Sequence, residues 1–219
     1  TKDSEIINTS TNLSKINQKF GRGQDELMTL IGLVTVKERV QSLINEVRLR
    51  KERVKRGLPI GKERSYHMIF SGNPGTGKTV VARLVAKILY ELGITKEDKL
   101  IECDRAKLVG EYIGHTAPKT NKIIDQALGG VLFIDEAYSL KGEGNDFGKE
   151  AIEALLKRME DERANLVVIA AGYTHEMSEL METNPGLQSR FNRTIHFDDY
   201  STNELCLIFE KLSFDSGFL

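Results

Sequence analysis

The sequence predicts an α/β fold, a five-stranded parallel sheet covered on both faces by helices. Three observations predict it. After residue 66, five short apolar runs recur, at 67–71, 99–103, 130–135, 166–171 and 194–197. The segments between them carry apolar residues at helical spacing, as in 78–92 and in 149–160, where Ile152, Leu155, Leu156 and Met159 share a face. Strands that alternate with helices are joined by crossovers, which makes neighbouring strands parallel and buries both faces of the sheet. The bulk composition agrees: 219 residues, 40% apolar and 29% charged, describe one ordinary globular domain. Such a chain buries about 70% of its unfolded surface and needs no disulfide or metal to hold it.

Residues 1–24 are rich in Ser, Thr, Asn, Lys and Gln, so a poorly ordered tail is expected, with the compact domain starting near Leu27. The chain opens on Thr1 rather than Met, as a fragment of a longer protein would. Val36, Val40, Leu43, Ile44 and Val47 predict an amphipathic helix that ends near Gly57. Its last part, 48–56, carries six basic residues against one Glu. A solvated face suited to a helix C-terminus is one reading of that run, and contact with a phosphate or an acidic partner is the other. The strands and helices of the sheet domain follow, to about residue 200. Beyond the fifth strand only about one helix remains, near 202–212, within a final segment 201–219.

Charge and cysteine content narrow the function classes. With 31 Lys+Arg against 32 Asp+Glu the net charge is −1, without the basic excess of a typical nucleic-acid binder. No apolar run approaches the ~18 residues of a membrane span, and no signal-peptide pattern opens the chain. The cytoplasm is the expected compartment. Cys103 and Cys206 lie in apolar stretches and read as two reduced core thiols. The four histidines are scattered, and only His115 lies in a candidate functional loop.

The stretch Gly72-Asn73-Pro74-Gly75-Thr76-Gly77-Lys78-Thr79 fits G-x-x-x-x-G-K-[ST], and it stands between an expected strand and an expected helix. Glycines let the backbone turn tightly and gather its N–H groups into an anion nest, and the helix N-terminus adds positive dipole. Lys78 suits the β- and γ-phosphates of a nucleoside triphosphate, and the Thr79 hydroxyl suits Mg²⁺. About fifty residues on, Val131-Leu132-Phe133-Ile134 leads to Asp135 and Glu136 at the C-terminal end of an expected strand, where open α/β sheets bind ligands. Asp135 would hold Mg²⁺, and Glu136 would polarise the attacking water. Together the two motifs predict ATP binding and hydrolysis, with ATP and Mg²⁺ as the bound groups.

Read with their surroundings, these motifs resemble the AAA+ ATPases, and within them the branch of the CbbX-type red-lineage Rubisco activases and the stage V sporulation protein K. The stretches that carry the resemblance are GNPGTGKT at 72–79, LVGEYIGHTAPKT at 108–120, GVLFIDEA at 130–137 followed by Tyr138, and NPGLQSRF at 184–191. The resemblance covers about residues 27–212. It implies the three-layer sandwich of a P-loop NTPase, as the large subdomain of an AAA+ module, with ATP hydrolysis in a ring, usually a hexamer. It also implies that Ile31 and Gly32 pack on adenine. Tyr112-Ile113-Gly114 would form a pore loop that grips a polypeptide client. Arg190 and Arg193 would act as arginine fingers, supplied in trans to a neighbour's nucleotide. A polar sensor residue normally follows the fourth strand, usually as Asn. Here the stretch is 171–175, the Asn is missing, and Tyr173 or Thr174 takes its place, although Thr174 equally suits a helix N-cap. The helical lid that should follow the sheet is reduced to one helix.

Three functions compete on this reading. A protein remodeller would use the aromatic pore loop. A nucleic-acid-handling loader would need basic sheet-domain loops, for which Lys107, Lys119 and Lys122 are the candidates. An ATP-dependent assembly switch would bind nucleotide with little turnover, against the presence of Glu136, Arg190 and Arg193.

Overall fold

The computed structural model of the protein describes residues 21–60, 65–141 and 147–218. Most of the expected tail, residues 1–20, lies outside these. The elements run in the order α1 (Arg22–Met28), α2 (Val34–Lys55), β1 (Met68–Gly72), α3 (Lys78–Glu91), β2 (Leu100–Cys103), α4 (Arg105–Leu108), α5 (Thr116–Ala127), β3 (Val131–Ile134), a 3₁₀ turn (Ala137–Lys141), α6 (Gly148–Asp161), β4 (Val167–Gly172), α7 (Thr174–Thr183), α8 (Pro185–Arg190), β5 (Thr194–Phe197) and α9 (Thr202–Asp215). The five strands form one sheet in the order β2-β3-β4-β1-β5, and every pairing is parallel. Each expected strand is present, displaced by no more than a residue at its ends.

Alternate residues of the strands feed two separate cores, as the period-2 geometry of a strand requires. Met68 and Phe70 of β1, Val131 and Phe133 of β3, and Val167, Ile169 and Ala171 of β4 pack with residues of α1, α2 and α3. Ile69, Leu132, Ile134, Val168 and Ala170 pack on the other face with α5, α6, α7 and α8. Phe70 and Phe197 meet with ring centroids 5.0 Å apart, tying β1 to the edge strand β5.

Helix α1 moves one expected boundary. The tail was expected to reach residue 24, but the helix begins at Arg22. The Gly23 N–H donates to Glu91 Oε1 at 3.1 Å, and a Cβ on Gly23 would lie 2.9 Å from Ile88 Cγ1. This helix is seated by close backbone approach rather than by an apolar stripe, so hydrophobic periodicity does not reveal it. A second correction concerns the thiols. Cys103 is buried, and burial raises its pKa to about 12, whereas Cys206 is exposed. Cys206 lies on α9, which starts in a full Ser201–Glu204 capping box but has no buried residue, with Leu205, Leu207, Phe209, Leu212 and Phe214 all exposed.

His67 joins several layers at the N-terminal end of β1. Its Nδ1 accepts from the Val168 N–H at 3.0 Å, so the proton sits on Nε2, and the ring also hydrogen-bonds the Met159 backbone. Its ring lies 6.2 Å from that of Phe191. Burial lowers its pKa from 6.5 to about 4, with the Met159 hydrogen bond opposing and the Arg190 charge assisting. In the unfolded chain His67 takes a proton near its ordinary value, while the folded site resists protonation. Its contribution to stability is therefore complete above pH 6.5 and is lost as pH falls towards about 4. The loss is on the order of 3 kcal/mol. Urea midpoints measured from pH 7 to pH 4 will show this fall in the native chain. In His67→Leu the curve will start lower, because Val168 N–H loses its acceptor, and will be flatter across the same window.

Candidate active site

The loop that leaves β1 depends on two close approaches. A Cβ on Gly72, at φ 150°, would collide with the Phe197 carbonyl oxygen, so a side chain here would push β1 away from β5. Gly77 caps α3 in the left-handed region, at φ 93°, and a Cβ there would meet Tyr200 Oη at 3.2 Å. Between them the loop is closed by its own side chains. The buried Thr76 hydroxyl donates to Asn73 O at 2.7 Å, and Asn73 Nδ2 donates to both carboxylate oxygens of Asp199 at 3.0 and 2.9 Å. Lys78 Nζ donates to Gly72 O at 2.8 Å and Asn73 O at 2.7 Å. Burial lowers the Lys78 pKa, and the charge of Asp135 opposes that shift. The ammonium is thus partly desolvated, held at the loop and close to an acid.

A cavity of about 370 Å³ opens over this loop and the N-terminus of α3. Pro74, Gly75, Gly77, Lys78 and Thr79 line one side, Asp135, Glu136 and Tyr138 a second, and Gly172 and Tyr173 a third. The C-terminal ends of β1, β3 and β4 therefore converge on one cleft. Asp135 donates its N–H to Cys103 O at 2.8 Å and accepts the Glu136 N–H on Oδ1 at 3.0 Å. Glu136 has φ 48°, a strained backbone for a non-glycine residue. The donor set suits a magnesium polyphosphate: a helix N-terminus and an ammonium for the anion, and a hydroxyl with a carboxylate for the metal.

Tyr138, for which the motifs imply no role, also lines the cleft. Burial raises its pKa, as do the charge of Glu136 and a hydrogen bond between the two side chains. Its ring lies 5.5 Å from that of Tyr173. The only signal in the sequence was its place two residues after Glu136.

The two sensor candidates part company. Tyr173 lines the cleft and occupies the N-cap of α7 without a side-chain cap bond. Thr174 is the first helical residue rather than the N-cap, and its hydroxyl lies 3.5 Å from His196 Nδ1. The same nitrogen lies 3.2 Å from Ser71 Oγ, and His196 Nε2 lies 3.6 Å from Asp198 Oδ1. Sequence reasoning passed over His196, because a lone histidine on an edge strand carries no local signal.

Gly32, at φ 63°, packs against Glu204 and Tyr200, and the adjacent Leu33 reaches the position a Gly77 Cβ would occupy, with its Cδ1 at 3.7 Å. The 31–32 segment thus borders the loop, although Ile31 is not among the residues that line the cleft.

Arg190 and Arg193 lie elsewhere. The Arg193 carbonyl accepts from Ile69 N–H at 2.8 Å, which puts it three strand residues below Gly72, or about 10 Å towards the N-terminal end of the strands. Arg193 Nη2 pairs with Glu46 Oε2 at 2.8 Å and Arg190 Nη2 with Glu160 Oε2 at 3.6 Å. The Nε of each is buried without a hydrogen-bond partner. Neither arginine lines the cleft of its own chain. Tyr112 and Ile113 are 66% and 86% exposed on the loop between α4 and α5, with Gly114 at φ 80° and the Tyr112 ring edge-on to His115 at 5.5 Å.

Comparison with known proteins agrees with this architecture. Stage V sporulation protein K of Bacillus subtilis is 47% identical over 190 residues, a match that covers 86% of this chain and 59% of that protein. The ESX-3 secretion system protein EccA3 of Mycobacterium tuberculosis is 48% identical over 190 residues, covering 86% of this chain and 30% of that protein. The chain thus spans less than two thirds of either relative. The FIGL-1 AAA domain in complex with ADP superposes with a TM-score of 0.59 at 20% identity, over 85% of this chain and 60% of that one, a likeness of fold. Residues 68–199 match the model of the ATPase family associated with various cellular activities (AAA), and the chain belongs to that family.

Proposed function

We propose that this chain is the ATP-hydrolysing sheet domain of a ring-forming motor that works on a polypeptide client. The observation that carries the reading is the single cleft where Lys78, Thr79, Asp135 and Glu136 meet. Backbone N–H groups of the 72–77 loop and the Lys78 ammonium would hold the β- and γ-phosphates. Thr79 and Asp135 would hold Mg²⁺, which supplies charge neutralisation at the phosphates. Glu136 would orient and deprotonate the attacking water, and Tyr138 would position the Glu136 carboxylate. Ile31 and Gly32 would border the adenine. Tyr173, as the cleft-lining member of its pair, is the better sensor candidate, with Thr174 reporting through His196.

The position of the two arginines supports action in trans. Both lie towards the N-terminal end of the strands, away from the cleft, and would reach a nucleotide held by another copy of the chain. A guanidinium that forks onto phosphate oxygens in this way is worth ~10³–10⁵ in rate. Assembly, as a hexamer on the family pattern, would then precede rapid turnover. Helix α9, apolar and without a buried residue, would begin the lid subdomain, and the cytoplasm remains the proposed compartment. Among the described residues no helix is long and apolar enough to cross a membrane.

A protein client is favoured over nucleic acid by the loop itself. Its exposed tip is Tyr112 and Ile113, beside Glu111. Two of the lysines that would favour nucleic acid are tied to the backbone: Lys107 Nζ to Glu102 O at 2.9 Å, and Lys119 Nζ to Ala106 O and Val109 O, each at 2.8 Å.

Two measurements test the reading. In a fluorescent-nucleotide titration Lys78→Ala will lose binding, while Glu136→Gln will bind ATP and release phosphate at least ~100-fold more slowly, the usual scale for a general base. Equal phosphate release by Glu136→Gln and the native chain would remove Glu136 from the mechanism. Tyr112→Ala will keep its basal ATPase within about twofold and lose work on the client. Unchanged client remodelling in that variant would show that the loop grips nothing.

A further inference from the structure

The basic run at the end of α2 is not used by the ATPase chemistry. The structure shows it bordering a second cavity, of about 480 Å³, at the N-terminal end of the strands, away from the nucleotide cleft. One stripe of α2, Val47, Lys51, Val54 and Lys55, forms a wall, at the i, i+4, i+7, i+8 spacing of a single helix face. Ile94, after α3, and Tyr66, before β1, complete an apolar floor, and Arg50 and Arg163 add to the rim. Val47 is fully buried at the bottom, whereas Val54 and Ile60 are 53% and 44% exposed at the mouth.

The charge around this cavity is one-sided. Among the described residues four cationic side chains line it and no acidic one does. The nearby acids are already engaged: Glu52 pairs with Arg56 at 2.8 Å, and Glu160 with Arg163 at 3.3 Å. Among the described residues no ion pair engages Lys51 or Lys55. Cations around exposed apolar side chains call for a ligand that carries both characters.

We propose that this cleft docks an acidic, amphipathic polypeptide segment, with apolar side chains on the Val47–Ile94–Tyr66 floor and carboxylates against Lys51 and Lys55. Charge complementarity commits the site to an acidic occupant, and its shape selects among acidic occupants. A bilayer surface is too flat to enter a concave cleft. A small phosphate compound would find the carbonyl end of α3, at Gly93 and Ile94, instead of the helix N-terminus that phosphate sites use. An extended or helical peptide places apolar groups at the floor and acids at the rim at once. The site is independent of the nucleotide cleft, so it serves as an attachment point for a partner or adaptor rather than as the grip of the motor.

The test is fluorescence anisotropy with a labelled synthetic peptide built from Leu and Glu in an amphipathic pattern. The native chain will bind it, and binding will weaken as salt rises. Lys51→Glu/Lys55→Glu will weaken it at least ~10-fold. Lys122→Glu/Lys157→Glu, an equal charge change on exposed lysines elsewhere, will leave it within about twofold. Val54→Ser, at an exposed position that folding does not need, will weaken it severalfold without altering charge. A peptide with Lys in place of Glu will not bind. Equal weakening by both double reversals would reduce the effect to net charge and overturn the site. Displacement of the peptide by millimolar pyrophosphate, or tight binding of phosphatidylserine vesicles lost only in Lys51→Glu/Lys55→Glu, would overturn the peptide assignment in favour of a small anion or a membrane.

Discussion

The burial of β1 is the constraint on which the rest of the structure depends. All five of its residues are buried, with β4 on one side, β5 on the other and a helical layer over each face. A strand sealed in this way can present polar chemistry only at its ends. At its C-terminal end the chain escapes through Gly72, where the Phe197 carbonyl leaves no room for a Cβ. The loop that follows must turn at once, and that turn lines the cleft. At its N-terminal end the sealed strand forces His67 to stay neutral, tied to β4 and α6. One end of the strand is built to receive charge and the other to exclude it.

The same polarity organises the other strands. β3 delivers Asp135 and Glu136, and β4 delivers Tyr173, to the end of the sheet where β1 delivers Lys78. Parallel pairing makes this convergence automatic, since all five strands point the same way. It also explains the position of Arg190 and Arg193. They precede β5, so they emerge near the start of β1 rather than beside its loop. The cleft therefore opens at the C-terminal end of the strands, and the two arginines lie towards the N-terminal end.

The fold was largely legible in the sequence because both of its signals are local. Four-residue apolar runs such as Val131–Ile134 and helical stripes such as that of α6 need no knowledge of the tertiary partner. The motif at 72–79 was legible for the same reason, since a phosphate loop carries its geometry in consecutive residues. What escaped was set by contacts between distant residues. Helix α1 is held by a glycine against Ile88 and a hydrogen bond to Glu91, neither of which leaves a periodic trace. Tyr138 gains its meaning only when β3 and β4 bring it against Glu136 and Tyr173. His196 lies far in sequence from Ser71, its partner at 3.2 Å. Cys206 lies in an apolar run, like a core residue, but the helix that carries it faces outward along its whole length.

That outward face and the cationic cleft pose one physical problem with two answers. An exposed apolar surface has a free-energy cost in water unless something covers it. On α9 the exposed side chains are Leu and Phe with few charges among them, as on a helix that packs against more of its own polypeptide. On α2 the exposed valine alternates with lysines that have no described acidic partner, and a permanent intramolecular cover would leave those charges to be desolvated. A reversible partner that brings its own carboxylates meets that cost without burying an unpaired cation. The composition of each surface therefore separates a face made for folding from one made for docking.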